Sequence, residues 1–244
     1  MHPFPPVGFK DRIVCKTFDR WGGVSKAPYD ELNVGLHVGD DPEAVRKNRR
    51  IVASGMGALS LVSSFQVHGE NIELINDPMD GLAGSDILNG VDGLMTNRSG
   101  VGLMIQHADC QAIVFFDPVT GAAANIHCGW RGSVLNMPGK AVNAMARSFG
   151  SNPGDMLAWI SPSLGPCCAE FKGWRELLPA SFLRFKVSSD RFDFWAATKA
   201  QLSDAGVKSE HIYVSGDCTF CNENYYSYRR DGTTGRCATV VMLL

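Results

Sequence analysis

The stretch HADCQAIVFFDPVTGAAANIHCGWRG, residues 107–132, carries both a structural and a chemical signal. Residues 111–117 (QAIVFFD) form a short apolar run of the kind that makes a buried strand. DPVTG is a turn, with Pro after Asp and Gly closing it, and 121–127 (GAAANIH) leaves it as the return strand. If the two pair antiparallel around a turn near residue 119, paired residue numbers add to about 238. Cys110 then falls opposite Cys128 and one step from His127, so hairpin closure brings a thiol and an imidazole to one open end. His107, Asp109, Trp130 and Arg131 flank the same strand ends. A single histidine there would be read as packing. A cluster of polar groups marks a site, because burying one unpaired costs about 1–3 kcal/mol.

Working outward, RIVCKTF (12–18) alternates as a strand, and RWGGVSKAPY after it reads as a loop. Acidic residues and a Pro open a helix at about 42–55, which stops on Gly. LVSSFQVHG (61–69) and NIELIND (71–77) read as strands, as does VGLMI (101–105). NMPGKAVNAMARSFG (136–150) is a helix with a glycine stop. MLAWISPSLG is strand then loop, residues 174–186 and 193–205 are helices, and HIYVSG and 238–244 are strands. There is no repeat, low-complexity tract or linker. The irregular alternation predicts a single α+β domain spanning 1–244 and built on mixed sheet.

Composition narrows the function. The 244 residues are 45% hydrophobic and 20% charged, as in a globular protein with a sizeable core. A net charge of −2 gives no field to attract nucleic acid or anionic membrane. No apolar run reaches the ~18–20 residues of a membrane span. The opening MHPFPPVGFKDR lacks the apolar core of a signal peptide, so a cytoplasmic location is expected. The eight cysteines (15, 110, 128, 167, 168, 218, 221 and 237) are then reduced thiols. No GxxxxGK[ST] loop is present, and GVGLM is a stray Gly-x-Gly.

Cys110 and His127 are two ligands, whereas catalytic zinc usually takes three and an open position. His68, in QVHG before a glycine, is the candidate third. One Cys and two His suit Zn or Cu. The competing reading is a metal-free thiolate nucleophile at Cys110 activated by His127. A third is a non-enzymatic metal clip, which requires a fourth ligand such as His107 or Cys128.

FQVHG, VDGLMTN, HADCQAIVFFD, IHCGWRG, SPSLGPCCAEF and YSYRRDGTTGRCATVVML, with DRWGGVSKAPYDELNVGLHVGDDPEAVRKNR near the start, together resemble the YfiH-like family, described variously as multicopper polyphenol oxidase, laccase-domain protein and purine nucleoside phosphorylase. The resemblance covers about residues 17–244. It implies a layered α+β fold of mixed sheets flanked by helices, similar to that of the deamidase toxins. It also implies His68, Cys110 and His127 as metal ligands. The implied activity is phosphorolysis of adenosine, inosine and methylthioadenosine by one Zn2+ site, with adenosine deamination by a metal-bound water. The alternatives are a Cys-His amidase editing peptidoglycan precursors and a copper-dependent phenol oxidase. Six histidines are too few for a typical multicopper set. The GPCC segment is shorter than in many relatives, and Ala169 stands where an aromatic residue is common, so Cys167 and Cys168 are assigned no role.

Within that frame Asp109 is the candidate proton relay or ligand-orienting group. Arg131 and Arg49 are candidates for binding phosphate, since a guanidinium fork matches its oxygens. Arg49 also reads as a solvated helix residue, and Arg229, Arg230 and Arg236 as a loop cluster. Gln66 and His107 are candidate substrate contacts.

Overall fold

The computed structural model describes residues 7–76 and 88–244. In chain order these form β1 (Ile13–Phe18), α1 (Pro42–Met56), β2 (Ser60–Val62), β3 (Ser64–Phe65), β4 (Ile72–Leu74), β5 (Leu88–Asn89), β6 (Gly93–Thr96), β7 (Val101–His107), β8 (Gln111–Asp117) and β9 (Ala122–Cys128). Then follow α2 (Trp130–Val134), α3 (Met137–Phe149), β10 (Leu157–Ile160), α4 (Trp174–Leu177), α5 (Phe194–Asp204), β11 (Ile212–Val214), α6 (Tyr228–Asp231) and β12 (Cys237–Leu243). One mixed sheet has the order β1-β12-β7-β2, a second the order β11-β10-β8-β9-β6-β4, and β3 pairs with β5.

Alternation along the strands shows how the layers stack. Val114 and Phe116 pack with Leu103 and Val241 of the other sheet. Their neighbours Ile113 and Phe115 turn the opposite way, onto Ala141, Val142 and Met145 of α3 and Leu202 of α5. On the four-stranded sheet, Met104, Val240 and Met242 pack against Val52 and Met56 of α1. The order is therefore helix, sheet, sheet, helices. It explains why β7, β8, β9 and β12 are buried along their whole length and read as continuous apolar runs rather than alternating ones. The layered mixed α/β architecture agrees with the expected fold class.

The helix ends follow from local chemistry. The Asp41 carboxylate accepts the Glu43 N–H at 3.0 Å, and Pro42 fills the first helical position of α1. Left-handed Gly57 and Gly150 stop α1 and α3.

Three expectations need correction. The hairpin register adds to 239, not 238, because Asp117 pairs with Ala122 across a four-residue loop. Gln111 thus faces Cys128, and Cys110 lies one residue beyond the ladder. The helix expected over 174–186 breaks at Pro179, which offers no N–H and leaves Leu178 extended; α4 and a 3-10 turn at Ala180–Phe185 replace it. The strand expected over 61–69 is two short pieces that end at Phe65, since the N–H groups of Val67, His68 and Gly69 turn to a carboxylate instead of a ladder.

Asn125 of β9 bolts the sheets together: its side-chain amide donates to the carbonyls of Leu103 and Thr239, both at 2.9 Å. Replacing it (Asn125→Ala) opens a void and strips both contacts, so urea unfolding should show a loss of about 2 kcal/mol.

Candidate metal and active site

The polypeptide passes from one sheet to the other between His107, the last residue of β7, and Gln111, the first of β8. Cys110 sits in this crossover, next to the C-terminal end of β9 with His127. His68, on the segment between β3 and β4, comes in from the side with a left-handed backbone (φ 59°). One ligand atom each from His68, Cys110 and His127 lies within 4.8 Å of the others. The two imidazoles meet edge to face, their centroids 4.7 Å apart.

Asp92, immediately before β6, positions two of the three. Its Oδ1 accepts from the His68 backbone N–H at 2.9 Å and lies 2.9 Å from Nδ1 of His127. Its Oδ2 accepts the N–H groups of Val67 at 3.1 Å and Gly69 at 2.8 Å. The Asp92 carbonyl also accepts the His127 N–H at 2.7 Å. Burial alone would raise this carboxyl's pKa, but His127 and the backbone donors pull it below the ordinary value. With Nδ1 engaged, His127 has Nε2 left to face the other two donors.

Gly129 makes room for them. A Cβ there would lie 2.8 Å from the Cys110 sulfur and 3.0 Å from Nδ1 of His68. Donor softness, spacing and this cleared space fit a zinc or copper ion held by three ligands. Burial works against the Cys110 thiolate, yet the charge and hydrogen bonds of His127, with those of His68, lower its pKa to about 6. His127 is raised to about 9 despite burial, chiefly by Cys110 and Asp92. Both directions favour a thiolate beside an imidazolium.

The trio borders a cavity of about 570 Å³. Trp130, Phe171, Phe194 and Tyr228 supply aromatic wall, and Arg229 and Arg236 supply cations. His107 lines it too; its Nε2 is 2.8 Å from the Thr239 hydroxyl, while burial, then His127 and Arg236, push its pKa down to about 3. It is therefore a neutral ring. Cys128 is held at the opposite extreme, about 12, mainly by burial. Neither joins the donor trio, so among the described residues the fourth ligand expected of a structural clip is missing at this position.

The other candidates divide. Gln66 borders the cavity, but both ends of its amide bind the Gln106 backbone at 2.9 Å. Asp109 also borders it, in a left-handed conformation (φ 87°), and its carboxylate accepts from Thr219 Oγ1, Ser227 Oγ and the Arg229 N–H. Those bonds tie the crossover to the 219–229 segment; the carboxylate that meets the His127 ring is Asp92. Arg131 is exposed, stacked over Trp130 at 4.6 Å and outside the cavity lining. Arg49 is neither solvated nor in the cavity: it is fully buried, donating to the Val34 carbonyl and Ser63 hydroxyl. The cavity's cations are Arg229 and Arg236, from the cluster read as a plain loop. Asp92 lies in VDGLMTN, one of the segments that carry the family resemblance, but nothing local in the sequence ties it to His127. Ala169 packs among Phe182, Phe192 and Phe194 instead of lining the cavity.

Two stacked mixed sheets with a Cys-His-His cluster in an aromatic and cationic cavity define the class of protein. Residues 14–244 match the family model described as multi-copper polyphenol oxidoreductase laccase. The chain is 37% identical over 240 residues to purine nucleoside phosphorylase YlmD of Geobacillus stearothermophilus, covering 88% of this chain and 84% of that protein. It is 34% identical over 242 residues to purine nucleoside phosphorylase YfiH of Escherichia coli, covering 95% and 94%. The crystal structure of YlmD from Geobacillus stearothermophilus superposes with a TM-score of 0.88 at 35% identity over 97% of this chain and 93% of the other. The hypothetical protein YfiH of Bacillus licheniformis gives 0.86 at 30%, covering 95% and 93%. The chain belongs to this laccase-like YfiH family. Among the described residues, no helix is long and apolar enough to cross a membrane.

Two outcomes are expected. Gly129→Ala crowds the donors, and Asp92→Asn removes the charge behind His127; each should weaken zinc binding roughly 10- to 100-fold by competition titration. In metal-stripped protein, iodoacetamide alkylation of Cys110 should accelerate as pH rises through about 6. A thiol near the ordinary ~8.5 would instead accelerate about 2.5 units higher.

Proposed function

We propose that this protein is a zinc-dependent purine nucleoside phosphorylase, splitting adenosine, inosine and methylthioadenosine with phosphate into free base and the (methylthio)ribose 1-phosphate. The observation that carries this reading is one cavity combining the Cys-His-His trio, aromatic faces and two guanidinium-bearing residues. Its size lies within the ~300–1,000 Å³ of small-molecule sites. The names of the relatives support the same activity.

His68, Cys110 and His127 would hold the ion. Bound there, zinc supplies Lewis acidity and lowers the pKa of a coordinated water towards ~7, the chemistry that adenosine deamination also requires. Trp130, Phe171, Phe194 and Tyr228 offer surfaces on which a purine stacks. Arg229 and Arg236 offer charge-assisted hydrogen bonds to phosphate oxygens. Asp92 keeps the His127 ring in one orientation, and neutral His107 offers a ring nitrogen without adding charge near the cations.

Incubation with inosine and phosphate should release hypoxanthine and ribose 1-phosphate in equal amounts. Cys110→Ser should abolish turnover, while Arg236→Gln should raise the KM for phosphate about tenfold, the effect of losing one charge-assisted hydrogen bond of about 1.5 kcal/mol. Intact nucleoside from protein with zinc bound by His68, Cys110 and His127 would refute the reading.

One observation favours a second reading. Cys110, His127 and Asp92 form a thiol–imidazole–carboxylate chain with a lowered thiol pKa, the order of a nucleophile, its base and the group that orients it. Such a site would open an amide in a peptidoglycan precursor without metal. Activity that survives chelation and disappears on Cys110 alkylation would select it. The copper-dependent phenol oxidase reading would instead require copper to restore activity where zinc does not.

A further inference from the structure

Outside the cavity lining just described, two loops converge on a set of sulfurs. The segment after β10 carries Cys167 and Cys168, and the segment after β11 carries Cys218 and Cys221. The two run side by side: Ser163 donates its N–H to the Asp217 carbonyl, and Thr219 donates to that of Ser163, both at 3.1 Å. All four Sγ atoms lie within 4.8 Å of one another. Cys221 stands 3.4 Å from Cys168 and 3.8 Å from Cys167, sulfur to sulfur. A zinc ion with four Zn–S bonds of about 2.3 Å sets its sulfurs at tetrahedral corners about 3.8 Å apart.

We propose that Cys167, Cys168, Cys218 and Cys221 form a structural metal site that takes one Zn2+ in a tetrahedral shell of four thiolates.

Three further features fit. Cys218 and Cys221 are separated by two residues and joined by a turn in which Cys221 N–H donates to the Cys218 carbonyl at 3.1 Å, the arrangement of one half of a four-cysteine zinc site. The Gly165 N–H donates to the Cys218 sulfur at 3.3 Å, a bond that would stabilise a thiolate there. Gly165 also keeps the loops close, since a Cβ there would sit 3.0 Å from that of Cys218 and 3.3 Å from the Cys167 sulfur. Finally, four thiolates around Zn2+ leave two negative charges, and the recess beside Cys167 and Cys168 is bordered by two cations, Arg191 and Arg229, against one acid, Glu170.

With every corner taken by protein, such an ion has no open position for a reactant, so its work is mechanical. The clamped loops brace the crossover: Leu164, which lines the cavity, donates its N–H to the Asp109 carbonyl at 2.8 Å, and the Thr219 hydroxyl donates to the Asp109 carboxylate at 2.7 Å. The ion would thereby fix the crossover that bears Cys110. This site goes beyond the proposed activity and does not depend on it.

The test is zinc content and coordination in full-length protein purified under reducing conditions. His68→Ala/Cys110→Ser protein should keep one zinc per chain, and X-ray absorption at the zinc edge should show four sulfurs and no nitrogen. Cys218→Ser/Cys221→Ser should lose that equivalent. If either variant fails to fold, wild-type protein decides: sulfur should outnumber nitrogen around its zinc, whereas the Cys-His-His trio alone gives one sulfur to two nitrogens. A nitrogen-dominated spectrum, zinc content unchanged by the Cys218/Cys221 substitutions, or disulfides among the four residues in freshly alkylated protein would each overturn the proposal.

Discussion

The carboxylate of Asp92 is the constraint on which the candidate site depends. Four hydrogen bonds converge on its two oxygens, three from consecutive backbone N–H groups at Val67, His68 and Gly69 and one from the His127 ring. Two imidazoles from segments far apart in sequence are thus referred to one fixed point. The N–H groups of 67–69 give up strand pairing to reach it, which ends β3 and turns His68, exposed on a left-handed backbone, towards Cys110 and His127. A buried carboxylate without such partners would cost several kcal/mol, so the site and the loop around it form together.

Asp109 plays the corresponding part on the opposite side. Its three donors come from the 219–229 segment, and its backbone carbonyl receives Leu164. The crossover bearing Cys110 is therefore pinned from below by the two sheets and from above by two loops. Those loops bring in Arg229 and the four-cysteine cluster. The cavity, its cations and its thiol all rely on contacts between residues more than fifty positions apart.

The electrostatics follow the same plan. Within one pocket, histidines are pushed in opposite directions: His127 upward by Cys110 and Asp92, His107 downward by burial and neighbouring cations. Cysteines divide likewise, Cys110 downward and Cys128 upward. Residue type alone says nothing about this. What separates them is whether a compensating charge lies within hydrogen-bond reach.

Much was nonetheless written in the local sequence. The apolar runs 111–117 and 121–127 with DPVTG between them specify a hairpin, because turn chemistry and burial period act over a few residues. Capping residues around 41–57 and 136–150 set two helices for the same reason. The gathering of Cys110 and His127 at one strand end came with the hairpin. Only the folded chain decided the exact register, the break at Pro179, the burial of Arg49, the exit of Arg131 from the cavity and the entry of Arg229 and Arg236. It also chose Asp92 over Asp109 as the partner of His127, and drew Cys167 and Cys168 against Cys218 and Cys221. Each of these turns on distance through space, which a carboxylate or a thiol meets only once the layers have closed around it.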